Sequence, residues 1–155
     1  MPTAIFRTQS TAQLEQLHEL LIEYEESLPP DLRHGAPPDL RSLPLAYGGS
    51  NAAFLALEDD KAAGCIALTR FDASTGVMKR LYVKPAYRQF GIARALVAAV
   101  INFAREHRYR RVVLDTDRER LNAAYRLYAS LGFSDCEPYA AVDYAKPTYM
   151  ELRLQ

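Results

Sequence analysis

The segment Tyr87-Arg88-Gln89-Phe90-Gly91-Ile92-Ala93-Arg94 has the residue types and spacing for anion chemistry. It joins a strand-like run, Val77 to Val83, to a helical run starting near Gly91. Gly91 and Ala93 leave the backbone uncovered where that helix begins. The first amides of a helix have no internal partner, and the helix dipole adds partial positive charge there. Such a terminus is suited to a phosphate group. Arg88 and Arg94 add charge at its rim. A Gly-x-Ala pair also occurs in strand-to-helix turns for steric reasons alone. The pattern is not a P-loop, because Gly-Lys-Ser/Thr is missing. It is not a dinucleotide fingerprint either, since a single Gly does not make Gly-x-Gly-x-x-Gly.

Charge is concentrated around this segment. The 155-residue chain carries 19 Lys+Arg against 19 Asp+Glu, a formal net charge of zero. The balance is segregated. Residues 1–78 contain 5 basic and 11 acidic groups, residues 79–126 contain 12 and 4, and residues 127–155 contain 2 and 4. A basic block inside a neutral chain fits a local anion site or a solvated Arg-rich helix face. It does not suggest a nucleic-acid surface, because no nucleic-acid motif accompanies it and its flanks are acidic. Cys65 and Cys136 lack metal spacing and do not form a disulfide framework, which predicts a reducing compartment. His18, His34 and His107 are scattered, so no metal is expected. The opening residues turn polar after Phe6, which predicts no signal peptide. The most apolar stretch, Ala95 to Ala104, is too short to span a bilayer. These features predict a cytoplasmic protein with no membrane partner.

The elements that must position the segment are legible from periodicity. Ala4 to Arg7 reads as a short strand. Ser10 with Gln13 forms a capping-box pattern. Leu14, Leu17, Leu21 and Tyr24 then predict a helix over 11–26. Pro29-Pro30 ends it, and 27–50 reads as a long irregular segment with one short helix, a length that suggests a functional or mobile loop. Residues 52–57, 63–68 and 77–83 read as an antiparallel meander separated by turn signals. Ile92, Leu96, Val100 and Phe103 predict a helix to about His107. Arg111 to Thr116 is a buried-type strand. Leu121, Ala124, Tyr125 and Tyr128 predict a second helix over about 119–131, closed by Gly132. Phe133 to Glu137 and Tyr149 to Leu154 read as two final strands. The whole is a mixed α/β arrangement without repeats or a linker.

With these elements in place, Arg88-x-x-Gly91-x-Ala93 resembles the Arg/Gln-x-x-Gly-x-Gly/Ala signature of the GNAT superfamily of acyl-CoA-dependent N-acetyltransferases. Lys79-Arg80-Leu81-Tyr82-Val83-Lys84-Pro85 is similar to the strand that precedes it there. Ala124-x-x-Leu127-Tyr128-x-x-x-Gly132-Phe133 is similar to the family's later helix and its exit. Met78 to Val83, Leu114-Asp115-Thr116, Leu127 to Phe133 and Pro138-Tyr139 with Tyr149 to Leu152 resemble small bacterial members of unassigned substrate. The resemblance implies a single N-acetyltransferase domain over 1–155. It also implies a GNAT-like α/β fold, a central mixed sheet with splayed parallel strands flanked by helices.

Its chemical implications attach to particular residues. The pantetheine arm of acetyl-CoA would bond the backbone of Leu81, Tyr82 and Val83 on the first splayed strand, 78–84, with 111–116 as the second. The pyrophosphate would sit on the amides of Gln89, Phe90, Gly91, Ile92, Ala93 and Arg94, with Arg88 beside it. Tyr128 matches the family tyrosine that protonates the departing thiolate. By spacing alone, Tyr128 is also an ordinary core position. The acceptor would be a primary amine of a small molecule or peptide. It would be framed by the 27–50 loop, Arg80 and the Tyr139–Tyr144 loop, which suggests a carboxylate or aromatic part. Relatives often carry Glu where this chain has Val77, so the resemblance assigns no general base. Glu23, Glu137 and a water held by Tyr82 are candidates. Many relatives have Asn at the position of Leu121, and here Asn122 is one step displaced. Val77 also motivates a second reading, an acyl-CoA-binding module without catalysis. A homodimer is left open.

Overall fold

A computed structural model describes residues 3–88 and 90–154. Seven strands and four helices follow the order β1 (Ala4–Arg7), α1 (Thr11–Ser27), α2 (Leu43–Ala46), β2 (Ala52–Glu58), β3 (Lys61–Arg70), β4 (Thr75–Val83), α3 (Ile92–Glu106), β5 (Arg111–Thr116), α4 (Asn122–Ser130), β6 (Ser134–Asp135) and β7 (Thr148–Arg153). Short 3-10 turns occupy Pro30–Leu32 and Pro85–Tyr87. The strands form one sheet in the order β1-β2-β3-β4-β5-β7-β6. All neighbours are antiparallel except β4 and β5, which run parallel. The expected mixed sheet flanked by helices is therefore present.

The sheet is covered on both faces, so its central strands read as nearly continuous apolar runs instead of alternating ones. Ala53 and Leu55 of β2, with Cys65 and Ala67 of β3, meet Leu17, Leu20 and Leu21 of α1 and Leu43 of α2. Ala52, Phe54, Ile66 and Leu68 turn to the other face, where Ile92, Leu96, Val97, Val100 and Phe103 of α3 cover them. Helix α1 starts on the capping box the sequence predicts, with Ser10 and Gln13 each accepting the other's backbone amide. No helix among the described residues is long and apolar enough to cross a membrane.

Two departures from the periodicity have local causes. Helix α4 begins at Asn122, not near 119. The Asp117 carboxylate accepts the amides of Glu119 and Arg120, which holds 117–120 in a turn before the helix can start. Strand β6 keeps only Ser134 and Asp135 of the predicted 133–137 run, and at its start Phe133 is spent closing α4.

Candidate active site

The site is made by a sheet that stops pairing. Strand β4 meets β5 only at Thr75↔Arg111, Gly76↔Val112 and Val77↔Val113. From Met78 and Leu114 onward the two strands have no ladder between them. They border a cleft of about 850 Å3 lined by Met78 to Val83, Leu114 to Thr116, Gly91 to Arg94 and residues of α4. The divergence falls inside the expected splayed strands 78–84 and 111–116. Lys84 lies just past the end of β4, and residues 111–113 belong to the paired stretch. Backbone edges that face a cleft instead of a neighbouring strand need another hydrogen-bonding partner. An extended polar ligand satisfies that need as an added strand would.

The segment Tyr87 to Arg94, read from the sequence as an anion site, closes one boundary of the cleft. Gly91 is the N-cap of α3 at φ 77°, a left-handed value. Among the described residues, nothing beyond its chain neighbours and its own helix lies within 4 Å of where its Cβ would be, so the backbone there is open to a ligand. Ile92 is buried beneath, while Gly91 and Arg94 are exposed. Arg88 Nε donates to the Val83 carbonyl at 2.9 Å, and its guanidinium lies 5.9 Å from the centre of the Tyr82 ring. Arg94 donates to Ser130 Oγ at 3.2 Å. Both arginines line the cleft. Phe90 is 73% exposed. Gln89 lies outside the described residues.

Tyr128 reaches the cleft from the last turn of α4. That turn ends in a Schellman motif: Phe133 donates its amide to the Tyr128 carbonyl and Gly132 donates to Ala129. Gly132 takes φ 101°, which this motif favours for glycine. The Phe133 ring packs 5.9 Å from that of Tyr128. The motif therefore fixes both the backbone and the ring of Tyr128. Burial, followed by the charge of Asp115, pushes the Tyr128 phenol above its ordinary value. The hydroxyls of Tyr109, Tyr125, Tyr139, Tyr144 and Tyr149 are donated to protein oxygens. That of Tyr128 has no such partner among the described residues.

Arg80 lines the cleft, at φ 59° on β4. Tyr139 is placed differently: its hydroxyl donates to Asp115 Oδ1 at 2.9 Å, and Tyr144 donates to Oδ2 at 2.8 Å. Of the base candidates, Glu23 pairs with Lys84 at 3.4 Å and stands beside Tyr82. Burial and then Glu23 raise the Tyr82 phenol. Glu137 is exposed on the segment after β6. Val77 is half-buried within the paired stretch of β4, and Leu121 and Asn122 both line the cleft.

The Acetyltransferase (GNAT) family matches residues 14–133, most of the chain. The chain belongs to the GNAT acetyltransferase family. An uncharacterised N-acetyltransferase of Schizosaccharomyces pombe is 32% identical over 145 residues, covering 91% of this chain and 88% of that one. A GNAT-family acetyltransferase from Staphylococcus aureus superposes with a TM-score of 0.81 at 20% identity, over 99% of this chain and 100% of that one. The putative acetyltransferase yncA from Salmonella typhimurium, solved with its cofactor acetyl-CoA, gives 0.81 at 19% identity, over 99% and 94%. At these identities the two structures speak to fold; the family match and the yeast relative mark the chain as an acyltransferase.

Several groups in this GNAT cleft carry no local signal in the sequence. Tyr24 and His34 line it from α1 and the irregular segment, with rings stacked 5.8 Å apart. His34 is tied down by the buried Glu25, whose Oε2 lies 2.9 Å from its Nδ1. Arg120 forks onto Asp31 with two contacts of 2.8 Å. Asp115 stands in the Leu-Asp-Thr motif, and a charged residue inside a buried-type strand is the one cue that marks it.

Proposed function

We propose that the protein transfers an acetyl group from acetyl-CoA to a primary amine of a small molecule or peptide. Acetyl-CoA supplies a thioester carbonyl open to attack by a neutral amine. What this chain contributes is position and protons. The unpaired edge at Leu81, Tyr82 and Val83 is the natural rest for the pantetheine arm. The first amides of α3, with Arg88 and Arg94, suit the pyrophosphate. Tyr128 is held with its hydroxyl uncommitted at the cleft and stays protonated, because burial raises it. A positioned phenol of that kind can give its proton to a departing thiolate.

The observation that carries this reading is the loss of β4–β5 pairing after Val77, with Tyr128 bordering the gap. The test is an amine panel supplied with acetyl-CoA and read by release of free thiol. Thiol release that depends on an amine, with an acetylated product of matching mass, supports the reading. Tight CoA binding with no turnover on any amine favours the acyl-CoA-binding module instead.

A further inference from the structure

Arg80 stands where β3 and β4 slip register. Pairing steps from Cys65↔Tyr82 to Ala67↔Lys79, so Arg80 and Leu81 together stand opposite Ile66. A bulge of this kind bends a strand and re-aims a side chain. Arg80 adopts φ 59° there, a strained value for any residue but glycine, and such values persist where the surroundings impose them.

The strain delivers an unusual group to the cleft. Arg80 Nε and Nη1 are closed off from solvent and have no hydrogen-bond partner among the described residues. A guanidinium remains charged at any ordinary pH, and buried donors left unpaired are costly. Its charge acts on Tyr24, Tyr47 and Cys65, which are neutral, and on Lys79, a second cation; Glu25 also acts on Tyr24 and Glu23 on Cys65, and neither is bonded to Arg80. Asp115 acts on Lys79, but its two oxygens are already held by Tyr139 and Tyr144. Arg80 therefore lines the cleft with no carboxylate bonded to it among the described residues.

We propose that Arg80 is the carboxylate-binding residue of the acceptor site, so that the amine acetylated is an amino acid or another amine bearing a carboxylate. The inference rests on the acetyl-transfer reading above. A guanidinium N–H makes a charge-assisted hydrogen bond to a carboxylate, and with Nε and Nη1 closed off, Nη2 is the end of Arg80 left to make it. The acetyl and pantetheine parts of acetyl-CoA are uncharged and leave Arg80 uncompensated. Its phosphates have their own place at the start of α3.

The experiment pairs each common amino acid with its methyl ester as acceptor. The ester amine is less basic, so more of it is neutral at a given pH, and a preference for the acid runs against intrinsic reactivity. Wild-type protein is expected to favour the acids by about 30-fold or more in kcat/KM, the size expected for a charge-assisted pair. In Arg80→Gln that preference should collapse while acetyl-CoA affinity stays unchanged, and Arg80→Lys should restore part of it. Esters used as well as acids by the wild type, or an Arg80→Gln variant that keeps the preference, overturns the carboxylate site and leaves acetyl transfer standing. If no amine is turned over, calorimetry with N-acetyl amino acids and their methyl esters, titrated into protein with CoA, decides. Binding of the acids alone supports the site without acetyl transfer. Binding of neither, or of both equally, overturns it.

Discussion

The Tyr139 hydroxyl donates to Asp115 Oδ1 at 2.9 Å, which ties the segment after β6 to the second strand of the splayed pair. Tyr144 takes the other oxygen of the same carboxylate at 2.8 Å. Burial, and then the charge of Asp115, raise both phenols, so both remain donors. Tyr139 also meets the Tyr149 ring edge-on at 5.4 Å. The loop over 138–147 is thus held by two phenols on one carboxylate.

Replacing either phenol by phenylalanine should destabilise the fold by about 1 kcal/mol, since each bond is only partly buried. That corresponds to a fall of roughly 2–4 °C in the melting temperature of a chain this size. Tyr139→Phe combined with Tyr144→Phe should lower it further and release the loop. The amine KM should then rise more than the acetyl-CoA KM. Thermal melts and steady-state kinetics on the three variants check this, and equal rises in both KM values would count against a loop that borders the acceptor.

Tyr128→Phe should lower turnover at least about ten-fold, within the range of losing a positioned acid. Acetyl-CoA binding should not change, because the ring and its contact with Phe133 persist. Since the phenol is raised by burial, its proton is not lost below its ordinary value of about 10. The rate should therefore rise with pH as the acceptor amine becomes neutral, with no descending limb from Tyr128 below about pH 10. A descending limb near neutrality that disappears in Tyr128→Phe would contradict the raised phenol, and unchanged turnover in that variant would remove Tyr128 from the mechanism.

Elements with a local period were legible in the sequence, and features joining distant residues were not. The Leu17–Leu21 face of α1, the Leu96–Val100 face of α3 and the Gly132 stop signal each follow from spacing. Spacing does not mark the point where β4 leaves β5, since Val77 and Met78 are both apolar; only the family resemblance, which starts the splayed strand at Met78, points to it. The aim of Arg80 depends on a register break opposite Ile66, which the run Met78 to Val83 does not signal. Arg88 and Arg94 were legible as rim charges, but not the carbonyl and hydroxyl they touch. The phenols on Asp115 and the guanidinium on Asp31 come from 24 to 89 residues away in the chain, beyond any periodic pattern.

The Arg120–Asp31 fork links the turn before α4 to the irregular segment after α1. Hydrogen bonding to Arg120 holds the Asp31 carboxyl below its usual range. Its folded pKa is depressed, so the tether is intact above the ordinary aspartate value of about 3.9 and is lost as pH falls through the folded value. Asp31→Ala should make the 28–42 segment more open to protease between pH 5 and 9. Below about pH 4 the gap between variant and wild type should close. Both groups are exposed, so added salt should narrow the difference too. A gap of equal size at pH 3 and pH 7 would mean that the ion pair is not what restrains the segment.

Gly64 on β3 lies against Tyr82 and Val83 of β4, the strand whose other edge borders the cleft. A Cβ there would lie 2.7 Å from the Tyr82 carbonyl oxygen, with Val83 Cγ2 at 3.2 Å and Leu96 Cδ1 at 3.3 Å. A backbone oxygen cannot rotate away, so β4 must move just where the pantetheine arm is proposed to rest. Gly76 gives the control. The three atoms nearest a Cβ there all belong to the flexible Leu68 side chain, at 3.0 and 3.3 Å, within the stretch where β4 still pairs with β5. Both alanine variants should lose stability through overpacking, by about 1–3 kcal/mol. Only Gly64→Ala should also raise the acetyl-CoA KM several-fold, because only it displaces the carbonyl of Tyr82. Denaturant unfolding and acetyl-CoA titration on the two variants separate the effects. A Gly76→Ala variant that weakens acetyl-CoA as much as Gly64→Ala would show that sheet distortion in general, and not the Tyr82 edge, governs binding.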